Sequence, residues 1–180
     1  MRQPFFSLAA LAVFVPGLAL AVGSEDFEPP TPTETTTQCP EGTVFDEEMK
    51  TCVPPEQSSE ADSLKIEDIR ELAWAGRHDD ALALLATMED QRDPLVLTYY
   101  GFVLRNLGDW DAGLAAYTAA LAQDQALHLA RSYMGQGHVE RGELVLAAVQ
   151  LREIERRGGA GTWAHASLAD AIRTGVTVGY

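Results

Sequence analysis

From Leu64 onward, apolar residues recur at helical spacing in blocks separated by short polar turns. Ala81, Leu82, Leu84 and Leu85 mark one helix; Leu97, Tyr100, Gly101 and Leu104 mark a second. Leu114, Tyr117, Ala120 and Leu121 mark a third, Leu127, Ala130, Tyr133 and Met134 a fourth, and Leu144, Val145, Ala148 and Leu151 a fifth. Asp93-Pro94 interrupts the pattern and suits a helix first turn, where proline lacks no needed donor. Gly158-Gly159-Ala160-Gly161 ends the fifth helix, and Trp163 to Arg173 gives a last one before a short tail, 174–180. No strand alternation of useful length appears, so the pattern predicts an all-α fold for residues 64–173.

Three glycines, Gly76, Gly108 and Gly137, sit in related settings, AWAGRHDDA, RNLGDWDAG and MGQGHVERG. Taken as one equivalent position, they divide the chain into units 62–93, 94–122 and 123 onward, each a helix–turn–helix. Small residues at Gly101, Ala130 and Ala81 let helix backbones approach, and Leu85, Tyr117 and Leu146 fill the space between pairs. The pattern resembles the tetratricopeptide repeat family over residues 62–157. The resemblance implies a short right-handed solenoid of about three helix pairs. Trp163, Leu168 and Ile172 would form a C-terminal capping helix. Lys65 and Asp68 fall where that family expects large apolar residues, which makes the first unit a degenerate cap. Gly113 and Gly142 stand where it has alanine, each costing about 1 kcal/mol of helix propensity. A plain helical bundle without superhelical stacking is the other arrangement open to the pattern.

In this family the first helix of each pair lines a concave groove. The resemblance therefore places Ile66, Arg70 and Trp74 there from the first unit, Thr98, Phe102, Arg105 and Asn106 from the second, and Leu127, Arg131 and Met134 from the third. Arg70, Arg105 and Arg131 would then share one face, where guanidinium forks hold carboxylates in bidentate geometry and Phe102 offers an apolar platform. The implied ligand is a peptide or partner protein gripped at an acidic side chain or a free C-terminus. Alternatively, these arginines pair with local acids such as Glu71 or Asp109 and only solvate a face.

The first third of the chain reads differently. Residues 1–21 have the layout of a secretory signal, with Arg2, an apolar run from Phe5 to Leu20, and Ala19-Leu20-Ala21 as a cleavage site. A membrane anchor is the alternative, since the run is close to the minimum that spans a bilayer. Residues 22–38 are rich in proline, threonine and acid and read as a disordered linker. The chain holds two cysteines, Cys39 and Cys52. Export to an oxidising compartment makes a disulfide between them the default, closing a small loop over 39–52. The loop's C-P-x-G-x-x-F-D spacing also resembles one limb of peritrophin-type chitin-binding modules. A polar linker, 53–63, follows.

Net charge is −14, and residues 22–63 carry eleven acids against one lysine. Such a chain, with no basic stripe, is not built for nucleic acid or for anionic lipid. The same asymmetry suggests that the acidic leader lies over the groove and competes with partners.

No grouping of residues points to catalysis. His78, His128, His138 and His165 form no spaced ligand pair, and no metal or cofactor is implied. Asp79-Asp80 and Asp109/Asp111 sit at helix N-termini, where they cap amides and favour the dipole. GGAG lacks the lysine and flanking strand of a phosphate-binding loop. The expectation is therefore an exported, periplasmic protein-interaction module without enzymatic activity and without membrane insertion after signal cleavage. Its competitor is a cell-envelope glycan-binding protein that uses the cysteine loop, with the helices as a stalk.

Overall fold

The computed structural model describes residues 28–178; the expected signal sequence and most of the acidic run before Glu28 lie outside them. The described chain is mostly helical. A short helical turn, α1 (Glu34–Thr37), precedes a two-stranded antiparallel hairpin of β1 (Val44–Asp46) and β2 (Thr51–Val53). A 3-10 turn, Pro55–Gln57, leads into α2 (Asp62–Trp74) and α3 (His78–Leu85). Then come α4 (Pro94–Asn106), α5 (Trp110–Gln123), α6 (His128–Glu140), α7 (Leu144–Arg156) and α8 (Trp163–Thr174).

Helix boundaries follow local chemistry. Asp93 caps α4, its carboxylate accepting from the amides of Leu95 and Val96 at 2.7 and 3.2 Å, with Pro94 at the first helical position. Asp109 caps α5 through Ala112 N–H, and Thr162 caps α8 through His165 N–H. Asp80 does not cap α3 as expected. It accepts instead from Arg77 and from the amide of Gly42 in the hairpin region.

Three first helices end in the same way. Gly76, Gly108 and Gly142 each have positive φ (77°, 92° and 72°). In each turn the next amide reaches back to a carbonyl near the helix end: Arg77 to Leu72, Asp109 to Leu104, Glu143 to His138. This is a left-handed glycine cap; α7 ends the same way at Gly158, where the Gly159 amide reaches back to Ile154. Gly142, not Gly137, is the third member. Gly137 lies inside α6, where a Cβ would stand 2.2 Å from Trp110 Cζ3. Aligned on the caps, GRHDDALALL, GDWDAGLAAY and GELVLAAVQL are equivalent. The shift also explains Leu146, expected between helices but 48% exposed.

One continuous core runs from Val44 and Val53 of the hairpin through Ile69 and Leu72 of α2, Leu84 and Leu85 of α3, and Phe102 and Val103 of α4 to Tyr117, Leu129 and Tyr133. A smaller cluster joins Val139, Ala147 and Ala171 where α6, α7 and α8 meet. The helices α4 and α5 approach most closely at Gly113, where an added Cβ would stand 2.9 Å from the Gly101 carbonyl. Close packing accounts for a glycine that propensity alone disfavours.

The stretches 28–38 and 53–63, read from composition as linkers, contain ordered elements packed on the helices. Glu71, 4% exposed, accepts from Thr33 N–H and Thr33 Oγ1 at 2.8 and 2.6 Å and from Thr36. Asp68 accepts from Thr35 Oγ1. Arg77 donates to four carbonyls, those of Thr35, Cys39, Pro40 and Thr43. Asp46 is fully buried and accepts from Met49 N–H and Ser59 N–H, which hold its carboxyl below the usual range. Polar side chains of α2 and of the α2–α3 turn thus supply much of the anchoring of these segments. Cys39 and Cys52 are bonded, as expected, with 5.5 Å between their Cα atoms.

Candidate partner-binding groove

Counting back from each capping glycine identifies comparable positions on α2, α4 and α6. Six residues before it stand Arg70, Phe102 and Gln136; two before it stand Trp74, Asn106 and Glu140. Arg131 and Met134, placed in the groove on the Gly137 register, do not belong to this set. The Arg131 guanidinium is committed to the Gln125 carbonyl, between α5 and α6, and to Gln150 Oε1 on α7. Met134 packs against the main core. The positions of α6 that match on the capping register are Gln136 and Glu140, which the Gly137 register leaves out.

The first two units are placed as follows. Arg70 pairs with Glu67 at 3.0 Å and donates to the Glu28 carbonyl, so the leader reaches this edge of the groove. Trp74 is half-buried; its indole N–H donates to the Tyr133 hydroxyl at 3.1 Å, and its ring lies 5.5 Å from that of Trp163. Thr98 and Phe102 are fully buried, which corrects their placement as groove surface. The Thr98 hydroxyl is spent on the Pro94 carbonyl. Phe102 stacks in the core 4.6 Å from Tyr133. The Asn106 amide donates to the Phe102 carbonyl in its own helix. Trp74, Trp163, Tyr133 and Phe102 thus form an unbroken aromatic seam across α2, α8, α6 and α4.

Arg105 is the polar centre. It is 7% exposed and donates to the carbonyls of Tyr133 at 2.7 Å and Val178 at 2.9 Å; its Nε lies 3.5 Å from Glu140. Its guanidinium also stands over the Phe102 ring at 5.1 Å. Burial raises the phenol of Tyr133 to about 12, against the opposing bond from Trp74, and raises that of Tyr117 further. Both stay neutral near pH 7. His78, 6% exposed and stacked on Phe102, has its pKa lowered by burial above all, against Asp79 and with Arg105, so it is predominantly neutral there; its Nε2 has no hydrogen-bond partner among the described residues.

The occupant of this face is the chain's own tail. Gly175 ends α8 in the left-handed conformation and turns the chain back. Thr177 Oγ1 donates to Glu140, Val178 N–H donates to Gln136 Oε1 at 2.8 Å, and Val178 C=O accepts from Arg105. Val178 itself packs on the main core. Gln136 is fully buried, and its amide nitrogen lies 3.2 Å from both Ser132 Oγ and Ser167 Oγ, which orients its oxygen toward the tail. The three expected arginines therefore do not share an open face. Arg105 grips a main-chain carbonyl, Arg70 meets the leader, and Arg131 is committed elsewhere. No family model, no curated protein and no solved structure matches the chain.

Proposed function

We propose that this chain is an exported protein-interaction module built as a short tetratricopeptide-like solenoid, with an extended peptide segment of a partner as its ligand. Three observations support the solenoid reading. The glycine caps recur at Gly76, Gly108 and Gly142. Each cap joins a pair of consecutive packed helices, and the positions six and two before each glycine converge near one aromatic seam. Export is supported by the signal layout of residues 1–21 and by the disulfide.

The observation that carries the binding reading is the seating of Thr177 and Val178 against Arg105, Gln136 and Glu140. Two of these three bonds go to main-chain atoms. A surface that satisfies both the N–H and the C=O of one residue can hold a main-chain segment of another source. The ligand class is therefore read through its backbone first, and differs from the carboxylate grip implied by sequence alone.

A photo-crosslinking amino acid placed at Glu140 or Asn106 tests this. Both positions border the seam. The same group at Thr118, exposed on α5, is the control. Partner adducts from Glu140 and Asn106 but not Thr118 are expected in the exporting cell. Adducts from Thr118 alone would sink the reading.

A further inference from the structure

We propose that residues 176–178 are an internal ligand: they close the inner face in the resting chain, and a partner gains it by displacing them with a segment of like chemistry, a hydroxyl side chain followed by a branched aliphatic one. This rests on the reading of the inner face as a binding site. Three features point to it. Thr177 and Val178 make their recorded contacts through one hydroxyl, one amide, one carbonyl and one aliphatic side chain. None of these needs the segment to be covalently joined to α8. Val176, just before them, is 72% exposed, so the segment is anchored at two residues rather than embedded. The groups receiving it are preset by the fold, because Arg105 is also bound to Tyr133 O and Gln136 is flanked by Ser132 and Ser167.

Tethering gives such a tail an effective concentration on the order of millimolar, which excludes weak competitors and admits a longer or better-matched segment. The specificity follows from the same contacts. Glu140 selects a hydroxyl or amide donor at the first position. The apolar site at the second is lined by the main core and selects a compact aliphatic group. An acidic side chain at the first position would meet Glu140 and be rejected.

The test uses the mature chain ending at Gly175 and a fluorescein-labelled synthetic peptide of sequence RTGVTVGY, read by anisotropy. The truncated chain should bind the peptide saturably, and the full-length chain should bind it at least about tenfold more weakly because its own tail competes. A Gln136→Ala change in the truncated chain should weaken binding by about tenfold, the loss of one well-placed bond to the main chain. A peptide with the threonine that corresponds to Thr177 replaced by glutamate should not bind. Absence of peptide binding to a truncated chain with native helicity would overturn the proposal, as would equal binding by both chains. Should truncation abolish the fold, full-length Val178→Asp releases the tail without shortening the chain. If that variant also fails to fold, the segment is a structural strut and the proposal falls. The assay contains no partner. Peptide binding without any crosslinked partner would therefore count against the proposed function alone, and partner crosslinking without peptide binding would count against this inference alone.

Discussion

The indole N–H of Trp74 donates to the hydroxyl of Tyr133 at 3.1 Å, joining α2 to α6 across 59 residues of sequence. Tyr133 is 1% exposed, so its hydroxyl has little water to turn to if that donor is lost. Trp74→Phe keeps an aromatic ring and removes the donor. We expect destabilisation of about 1–3 kcal/mol, the cost of an unsatisfied buried polar group. Chemical denaturation checks it. Tyr133→Phe in the same background should recover part of the loss, because it removes the stranded hydroxyl.

The two glycines that compete for the third repeat position should respond differently. At Gly142, φ is 72° and a Cβ would meet nothing within 4 Å. Gly142→Ala is expected to cost about 1–2 kcal/mol from left-handed strain, and Gly142→Asn less. At Gly137 a Cβ would crowd Trp110 Cζ3 and, at 2.9 Å, Arg105 Cδ. Gly137→Ala is expected to cost about 1–3 kcal/mol through overpacking, with no relief from asparagine. Thermal melts of the four variants separate the mechanisms.

Arg77 holds the N-terminal elements to the helices by four carbonyls and an ion pair with Asp80. Arg77→Ala removes the guanidinium from those four carbonyls and leaves the largely buried Asp80 carboxylate with the Gly42 amide but no cation. Residues 28–57 should become sensitive to limited proteolysis, while far-UV circular dichroism of the helices changes little. Reduction of Cys39–Cys52 should produce a milder version of the same pattern. Unchanged proteolysis in Arg77→Ala would show that the packing of Val44 and Val53 suffices.

Asp68 gives the chain a pH dependence. Burial above all, opposed by the Thr35 hydroxyl and reinforced by Glu60 and Glu71, lifts its carboxyl from 3.8 to about 7. The folded chain therefore keeps a proton that the unfolded chain releases between those values. Its contribution to stability is complete below the unfolded value and is lost as pH rises through about 7. Asp46 has the opposite sign: its depressed carboxyl stabilises above its unfolded value and ceases to as pH falls through the folded one. Melting temperature should fall between about pH 5 and pH 7 in the parent chain and level off above that, and Asp68→Asn should flatten the slope. A parallel slope in the variant would assign the effect to another group.

The helical content and the first two turns were legible because they rest on local signals. Asp93-Pro94, Gly108-Asp109 and Thr162 each act within one turn of the chain. The third register was not, because MGQGHVERG contains two glycines in reach of the right spacing. The positive φ of Gly142 and the packing of Trp110 on Gly137 show which one is inside the helix. That single error carried Arg131 and Met134 into the candidate site and left Gln136 and Glu140 out. Phe102 and Thr98 were assigned correctly to α4 but not to a depth, since periodicity marks a face without saying what covers it. The docking of residues 28–57 was illegible for another reason. Its attachment depends on side chains of α2 and of the turn after it, chiefly Glu71 and Arg77, whose partners lie more than 30 residues away. The tail, 174–180, was recognised but not its seat on α4 and α6, because seven residues carry no periodicity.

The hairpin and its helical turn occupy the amino end of the first helix pair, with Val44 and Val53 buried in the common core. That end is therefore finished. Duplication of a unit between α5 and α6 would carry Val178 away from Arg105 on α4 while leaving Gln136 and Glu140 of α6 beside the tail. Length and self-closure are thereby tied together: a longer descendant would lose its built-in stopper unless the tail grew with it.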